Sequence, residues 1–347
     1  MNIKLYIICF WILMAEGISA QDFHLSQYDA ASQYLNPATT GMGFGKHQGD
    51  YRINADFRSQ WRSLGHKPFT TSYLGYDMHY NDRWGIGGFI INQRAGAGKV
   101  NTLNFMLSGA YNVAVDQQGH HFFSGGLQLG VFQRSIQYED FTFNDQYSAA
   151  YGGYDPNLSN NESFPSSSIF RMDGSVGIYY SNKDDKKKIN PFGGLGIHHI
   201  LRPNESFSYQ QKYRLPIRYA FNAGLHYQMN EQFKFTPNML LMYQAKATEI
   251  NVGVMANYTL NKSDNDVMLG VSYRTKDAVI IHVGFKQGLN VYRLSYDINT
   301  SSLSKYTRNR GGYELSVVYT GTNKKKSQHR RHRHHSHHKR HHKVHGR

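Results

Sequence analysis

The sequence predicts an all-β fold, a transmembrane antiparallel outer-membrane β-barrel of about 14 strands. Three observations predict it: one stretch of strict alternation, a series of similar stretches, and an N-terminal export signal. The clearest stretch runs from Arg218 to Met229 and reads RYAFNAGLHYQM. Every second residue from Tyr219 onward is apolar or aromatic, and the residues between them are small or polar. Because strand side chains alternate between faces, this segment has one face for lipid and one for a polar interior.

The first 20 residues have the features of a secretory signal peptide. Lys4 precedes an apolar run, Leu5 to Met14, that is too short to cross a bilayer as a helix. The small residues that end at Ala20 predict cleavage after that position. Cys9, the only cysteine, lies in this segment, so we expect no disulfide or thiol chemistry in the mature chain.

The composition agrees with a barrel. The chain has 26 Tyr, 20 Phe and 33 Gly but only 8 Pro, which suits closed sheets joined by tight turns better than a disordered chain. Mean hydropathy is −0.60, which excludes a helical membrane protein. It does not exclude a barrel, because only half of each strand faces lipid.

Two regions make up the folded part of the prediction. Residues 21–47 lack strong periodicity and are interpreted as an irregular N-terminal segment, a candidate plug for a lumen that side chains alone cannot fill. Residues 48–320 form the predicted barrel. Its strand-like stretches are Gln48–Arg58, Phe69–Tyr80, Trp84–Gln93, Asn101–Ala114, Phe122–Tyr138, Ile169–Ser181, Ile189–Leu201, Arg218–Met229, Gln232–Gln244, Glu249–Leu260, Val267–Arg274, Ala278–Lys286, Leu289–Asn299 and Gly312–Thr320.

The connections between these stretches alternate in length. Numbered along the chain, the odd connections include the longest ones, above all Glu139–Ser168, and the even connections are short. Barrels of this type have short periplasmic turns and longer external loops. The alternation therefore supports an even number of strands, and we expect both termini to lie in the periplasm.

Residues 321–347 are predicted to be a disordered, basic, His-rich tail. Lys324–Arg347 holds ten Lys or Arg and no acidic residue, so subtracting ten from the net charge of +15 leaves +5 for the rest of the chain. Such a density of like charge does not fold alone. A solvated periplasmic tail is the simplest interpretation; weak binding of Zn²⁺, Cu²⁺ or Ni²⁺, of anionic lipid or of an acidic partner stays open.

No catalytic, cofactor or metal site is predicted. Neighbouring strand residues point to opposite faces, so neither His120-His121 nor His198-His199 is expected to chelate a metal as a pair. Each pair is interpreted as one lumen residue and one interfacial residue. The chain has no G-x-S-x-G element and no spacing that singles out a catalytic triad. The glycines of the strands are not followed by a helix that could cradle a phosphate.

Four short motifs occur in order in the first part of the chain: HLSQY at His24–Tyr28, LNPA at Leu35–Ala38, RSQW at Arg58–Trp61 and PFTT at Pro68–Thr71. Together they resemble the PorP/SprF family, outer-membrane proteins of the type IX secretion system of Bacteroidota. Thr39 stands where family members commonly have an aromatic residue. The resemblance does not explain the His-rich tail.

The resemblance implies a barrel without enzymatic activity that assists export or surface attachment of specific cargo proteins, gliding adhesins among them. Its implied partners are outer-membrane lipid, the secreted cargo, and periplasmic and outer-membrane components of type IX secretion; no nucleic acid and no cofactor are expected. Asn36, Pro37, Trp61 and Pro68 match the family motifs and are expected to have structural or partner-contact roles. The alternatives are a passive porin or transporter for small or hydrophobic solutes, and an outer-membrane hydrolase.

Overall fold

The computed structural model of the protein describes residues 22–42, 49–64, 68–95, 100–137, 144–148, 152–155, 157–159, 167–184, 186–207, 212–260 and 263–322. The predicted signal peptide and the basic stretch Lys324–Arg347 lie outside these residues. Within them, fourteen strands close into one antiparallel barrel, and a two-stranded hairpin stands apart from it. The predicted fold class and strand number are confirmed.

The strands follow one another around the barrel in chain order. Their bounds are β1 (Tyr51–Gln60), β2 (Phe69–His79), β3 (Trp84–Ala95), β4 (Val100–Ala114), β5 (His121–Ser135), β6 (Tyr147–Ser148), β7 (Gly153–Tyr154), β8 (Ser168–Asn182), β9 (Ile189–His198), β10 (Arg218–Gln228), β11 (Phe233–Gln244), β12 (Ala247–Thr259), β13 (Asn265–Arg274), β14 (Ala278–Gln287), β15 (Asn290–Asn299) and β16 (Arg310–Gly321). The short hairpin is β6–β7, inside the longest loop, and β5 pairs directly with β8. The barrel closes where β1 pairs with β16, from Tyr51 opposite Gly321 to Gln60 opposite Gly312.

The helices among the described residues are short. They are α1 (Ser32–Leu35), α2 (Ser304–Thr307) and the 3-10 turns Pro37–Thr39, Arg62–Leu64 and Asn144–Gln146. None of the described helices is long and apolar enough to cross a membrane.

The side chains alternate as the sequence predicts. In β10, Tyr219 and Phe221 are 39% and 42% exposed on the outer face, whereas Ala220 and Asn222 are 1% and 5% exposed on the inner face. The apolar side chains point outward and the polar ones inward. This alternation fixes the register of each strand against its neighbours, because a slip of one residue would turn every side chain to the wrong face. The outer wall is consequently a band of large apolar side chains.

Because neighbouring strands are antiparallel, the connections fall alternately at the two ends of the barrel. We call the end with the connections after β1, β3, β5, β9, β11, β13 and β15 the long-loop end, and the opposite end the short-turn end. The strand limits agree with the prediction within three residues. The predicted stretch Ile189–Leu201 shows one of the largest differences: β9 ends at His198 because His199, at φ +60°, takes a left-handed conformation that leaves the sheet.

Residues 22–42, hereafter the plug, run through the lumen from one end to the other. At the long-loop end the amide of Asp22 donates to Gln244 at the end of β11, 2.7 Å away. Towards the short-turn end the amide of Gly41 donates to Asp77 of β2, also at 2.7 Å. Residue 22 thus lies at the long-loop end, whereas the prediction places both termini at the periplasmic, short-turn end. The reason is geometric: β1 begins at the short-turn end, and the plug traverses the lumen before reaching it.

Candidate functional site

A buried ionic cluster holds the start of the plug to the barrel wall. Arg58 donates to Asp297 Oδ2 at 2.7 Å and to Glu314 Oε2 at 2.9 Å, and Arg274 also donates to Asp297 at 2.7 Å. All four side chains are at most 2% exposed. Two guanidinium groups thus face two carboxylates, which is the pairing that allows charges to be buried. We call these four residues the central anchor.

The plug binds this anchor through Ser26 and Gln27. The backbone amides of Ser26 and Gln27 donate to the two carboxylate oxygens of Glu314 at 2.8 and 2.6 Å. The hydroxyl of Ser26 donates to Asp297 at 2.8 Å and accepts from Arg58 at 2.5 Å. Charge-assisted hydrogen bonds of this kind are among the strongest in proteins. The plug is therefore bound through both its backbone and its side chains.

The rest of the S-Q-Y motif extends this attachment. Gln27 is fully buried, donates to Ser295 Oγ at 3.1 Å and accepts from Ser316 at 2.6 Å. Tyr28 donates to Asn238 of β11 at 2.8 Å. The motif that resembles the PorP/SprF family thus binds side chains of several strands of the inner wall, from β11 to β16.

The N-P-A motif rests against a part of the wall that is built from glycine. Asn36 accepts from the amide of Ala38 at 2.9 Å, which caps the 3-10 turn, and donates to the carbonyl of Ile178 at 2.9 Å. A Cβ atom at Gly126 would clash with Pro37 and Ala38, and one at Gly177 would clash with the Asn36 amide. Only glycine lets the plug approach the strand backbone so closely.

The other motif positions, Trp61 and Pro68, lie at the long-loop end. Trp61 follows β1 at φ +55°, donates its amide to the Gly311 carbonyl at 2.9 Å and packs edge-on against Phe69 at 4.9 Å between ring centroids. Pro68 is half-buried directly before β2. The four predicted residues therefore form two separate groups.

A second ionic group holds residue 22. His199 contacts Asp22 through Nε2 at 2.7 Å and Asp173 through Nδ1 at 2.5 Å, and Arg218 lies 3.1 Å from Asp22. His198 also points inward, 3.1 Å from the Leu35 carbonyl. The expectation that His198 and His199 face opposite sides is therefore wrong, because the strand ends between them.

The charges of this group move two pKa values in opposite directions. Burial disfavours the charged form of His199, but the carboxylates of Asp22 and Asp173 outweigh it and raise the pKa of His199 to about 9. Burial likewise opposes ionisation of Asp22, but His199 and Arg218 hold its pKa well below the ordinary range. The group is therefore a stable ion pair at neutral pH.

We expect the attachment of residue 22 to weaken in alkaline solution. The contribution of His199 is complete below about pH 6.5, the ordinary histidine pKa, and is lost as the pH rises through about 9. Asp22 titrates only in acid and does not offset this loss. A shift from about 6.5 to 9 corresponds to on the order of 3 kcal/mol.

Amide protection factors of the plug, corrected for intrinsic exchange, should stay constant between about pH 5 and 6.5 and fall between about pH 6.5 and 9. His199→Asn is the control, because Asn tolerates the left-handed conformation but carries no titrating ring. In this variant the amides of the plug should be less protected than in the unaltered chain, and their protection should not change with pH. An equal alkaline fall in both proteins would contradict the assignment to His199.

The plug does not fill the whole lumen. Two adjoining cavities of about 490 and 180 Å³ share the lining residues Asp29, His226 and Lys234. We call them together the chamber. The larger cavity lies between the plug and β1, β8, β9, β10 and β11, and the smaller one lies beside β10–β15. The chamber reaches the short-turn end, where its lining residues Lys187 and Gln228 are exposed.

Sequence reasoning found the motifs but not the residues that bind them. Three residues that bind the plug, Arg58, Asp297 and Glu314, lie on the polar faces of predicted strands. The sequence therefore predicts that their side chains point into the lumen, but it does not predict which residues they contact. Among the described residues, no group of three or more His, Cys, Asp or Glu side chains is arranged to hold a metal ion.

Comparison with known proteins gives one family and one fold. The model of the family described as type IX secretion system membrane protein PorP/SprF matches residues 18–319. No curated protein matches the chain in sequence.

Solved structures of similar fold include outer-membrane channels. The Ralstonia pickettii toluene transporter TbuX has a TM-score of 0.50 at 10% identity, over 88% of this chain and 96% of that one. The CymD monoaromatic hydrocarbon channel has a TM-score of 0.48 at 13% identity, over 89% and 96% of the two chains. A Pseudomonas aeruginosa FadL homologue has a TM-score of 0.46 at 11% identity, over 84% and 94%. At these identities the likeness concerns the fold alone.

Proposed function

The chain belongs to the PorP/SprF family of type IX secretion system membrane proteins, and we propose that it serves that system as a plugged outer-membrane barrel. In this role it assists the export or surface attachment of specific cargo proteins, gliding adhesins among them. It acts as a docking component and carries out no enzymatic reaction.

One observation supports this role above the others: the lumen holds the plug, and the central anchor binds it. The S-Q-Y motif supplies the plug side of those contacts, and the N-P-A motif fits against Gly126 and Gly177. A lumen occupied in this way is poorly suited to passive flow of solutes. Contact with other proteins is then left to the two ends of the barrel.

Each surface has a proposed partner. The outer apolar band contacts outer-membrane lipid, and the long loops at one end contact the cargo. The short-turn end and the basic tail at Lys324–Arg347 face the periplasm and contact periplasmic components of the system, with other outer-membrane components beside the barrel.

The test is a clean deletion in the native organism with measurement of type IX cargo in the medium and on the cell surface. We expect one or a few cargo proteins to be lost from the surface, and the tagged barrel to co-purify with type IX components. Complementation with the unaltered chain is the control. Unchanged cargo together with reduced uptake of small or hydrophobic solutes would instead identify a passive transporter.

A further inference from the structure

Basic side chains outnumber acidic ones in the lining of the chamber, and some of them have partners outside it: Lys187 lies 3.9 Å from Asp184. Its lining includes Arg52, Lys183, Lys187 and Lys234, and among the described residues its one acidic lining residue is Asp29. Asp29 is already paired with Arg293 at 2.7 Å, and Arg52 is paired with Asp77 at 2.9 and 2.7 Å.

Two of the lysines lie within ion-pair distance of no carboxylate in the part of the chain that the structure describes, although Asp266 attracts Lys234 at longer range. Lys183 and Lys234 are half-buried, and neither forms an ion pair with any residue that the structure describes. The ammonium group of Lys183 instead lies 5.0 Å from the centre of the Phe122 ring. Burial and the charge of Arg52 lower the pKa of Lys183 to about 8. A half-enclosed cation beside another cation is unfavourable, and an anion in the chamber would relieve that cost.

The same chamber contains polar atoms without hydrogen-bond partners. The hydroxyls of Ser32 and Ser181 and the Oδ1 atom of Asn190 are buried, and each lacks a partner among the described residues. The hydroxyls can donate to an anion. Asn190 Oδ1 is an acceptor, and the bonds that Nδ2 donates to the carbonyls of Asp184 and Lys187 fix this orientation of the amide. The set therefore suits a ligand that has both an anionic oxygen and an N–H or O–H donor.

We propose that the chamber is a binding site for a carboxylate, which Lys183, Lys234 and the hydroxyls of Ser32 and Ser181 hold, while Asn190 accepts a donor next to it. The larger cavity of the chamber, about 490 Å³, is large enough for a small ligand, since ligand-binding pockets measure roughly 300–1,000 Å³. The acidic side chains of a peptide, whose neighbouring amides supply donors, fit these requirements. A free small dicarboxylate shares the anionic chemistry. The site goes beyond the secretion role and exists whether or not that role holds.

The test is isothermal titration calorimetry on the detergent-solubilised full chain. The probes are acetyl-Gly-Asp-Gly-Asp-amide, its Asn-containing neutral counterpart, succinate and inorganic phosphate. We expect the acidic peptide to bind and the neutral peptide not to bind. Lys183→Gln and Lys234→Gln should each weaken binding about tenfold or more, whereas Lys246→Gln, an exposed lysine in the turn at the long-loop end, should not change it.

The outcomes separate the sources of the carboxylate. Binding of the peptide alone identifies a segment of a protein chain, and equal binding of succinate identifies a small carboxylate. Phosphate binding as tight as the peptide, or peptide binding unchanged in both lysine variants, would overturn the proposal. Unaltered mobility of each unheated variant on a denaturing gel shows that its barrel is intact, so a loss of binding reports the site. A variant that loses this mobility is replaced by the corresponding Lys→Met variant, to which the same criteria apply.

Discussion

An Arg58→Met variant is expected to release the start of the plug and to lower the free energy of unfolding by about 3–5 kcal/mol. Arg58 is 1% exposed and bonds Ser26, Asp297 and Glu314. Its removal leaves two buried carboxylates with one fewer cation, and a buried charge without its partner is strongly destabilising. Methionine is chosen because it keeps much of the volume of the arginine stem.

Release is measured by labelling a cysteine placed in the plug. Ala30 is 1% exposed, and the only cysteine of the chain is Cys9 in the predicted signal peptide. An Ala30→Cys protein should react slowly with a water-soluble maleimide, and at least about tenfold faster when Arg58→Met is added. Arg94→Met is the matched control, because Arg94 is exposed at the end of β3. Equal labelling of the Arg58 and Arg94 variants would contradict the role of the central anchor.

The second large effect is expected from a valine side chain added to the inner wall at Gly126. Gly126→Val should displace the N-P-A turn, because the added atoms would collide with Pro37 and Ala38. Overpacking of this kind costs about 1–3 kcal/mol. Gly125→Val, one residue earlier in β5, should be neutral or slightly stabilising. No atom of the described residues lies within 4 Å of a Cβ at Gly125, and valine is more favourable than glycine in a strand.

The two valine variants are compared by unfolding in urea and by the same Ala30→Cys labelling. We expect only Gly126→Val to unfold at lower urea and to label faster. If Gly125→Val behaved in the same way, the effect would belong to the strand and not to the plug. The pair is informative because both changes add the same side chain to the same strand.

The architecture was predictable because it depends on local alternation. Arg218–Met229 shows its two faces in sequence, and a period of two residues also sets which side chains meet lipid. The plug was predictable only as a hypothesis, from missing periodicity and from the width of a barrel of about 14 strands. The motifs at Ser26–Tyr28 and Asn36–Ala38 were found by resemblance, without their contacts.

The ionic contacts were not predictable from the sequence. Arg58 meets Asp297 and Glu314, which are 239 and 256 positions away, and no local pattern encodes such a pairing. The direction of His199 depends on a left-handed residue directly after a strand, where alternation no longer applies. Gly126 and Gly125 look alike in sequence, although only Gly126 contacts the plug.

Conductance in planar bilayers tests most directly the claim that the plug closes the lumen. The full chain and a variant lacking residues 22–42 are reconstituted at the same protein-to-lipid ratio. We expect no steady conductance from the full chain and discrete single-channel steps from the variant, because deletion removes the chain that fills the lumen. Steps of the same size from both proteins would contradict the claim and show that the barrel is an open pore.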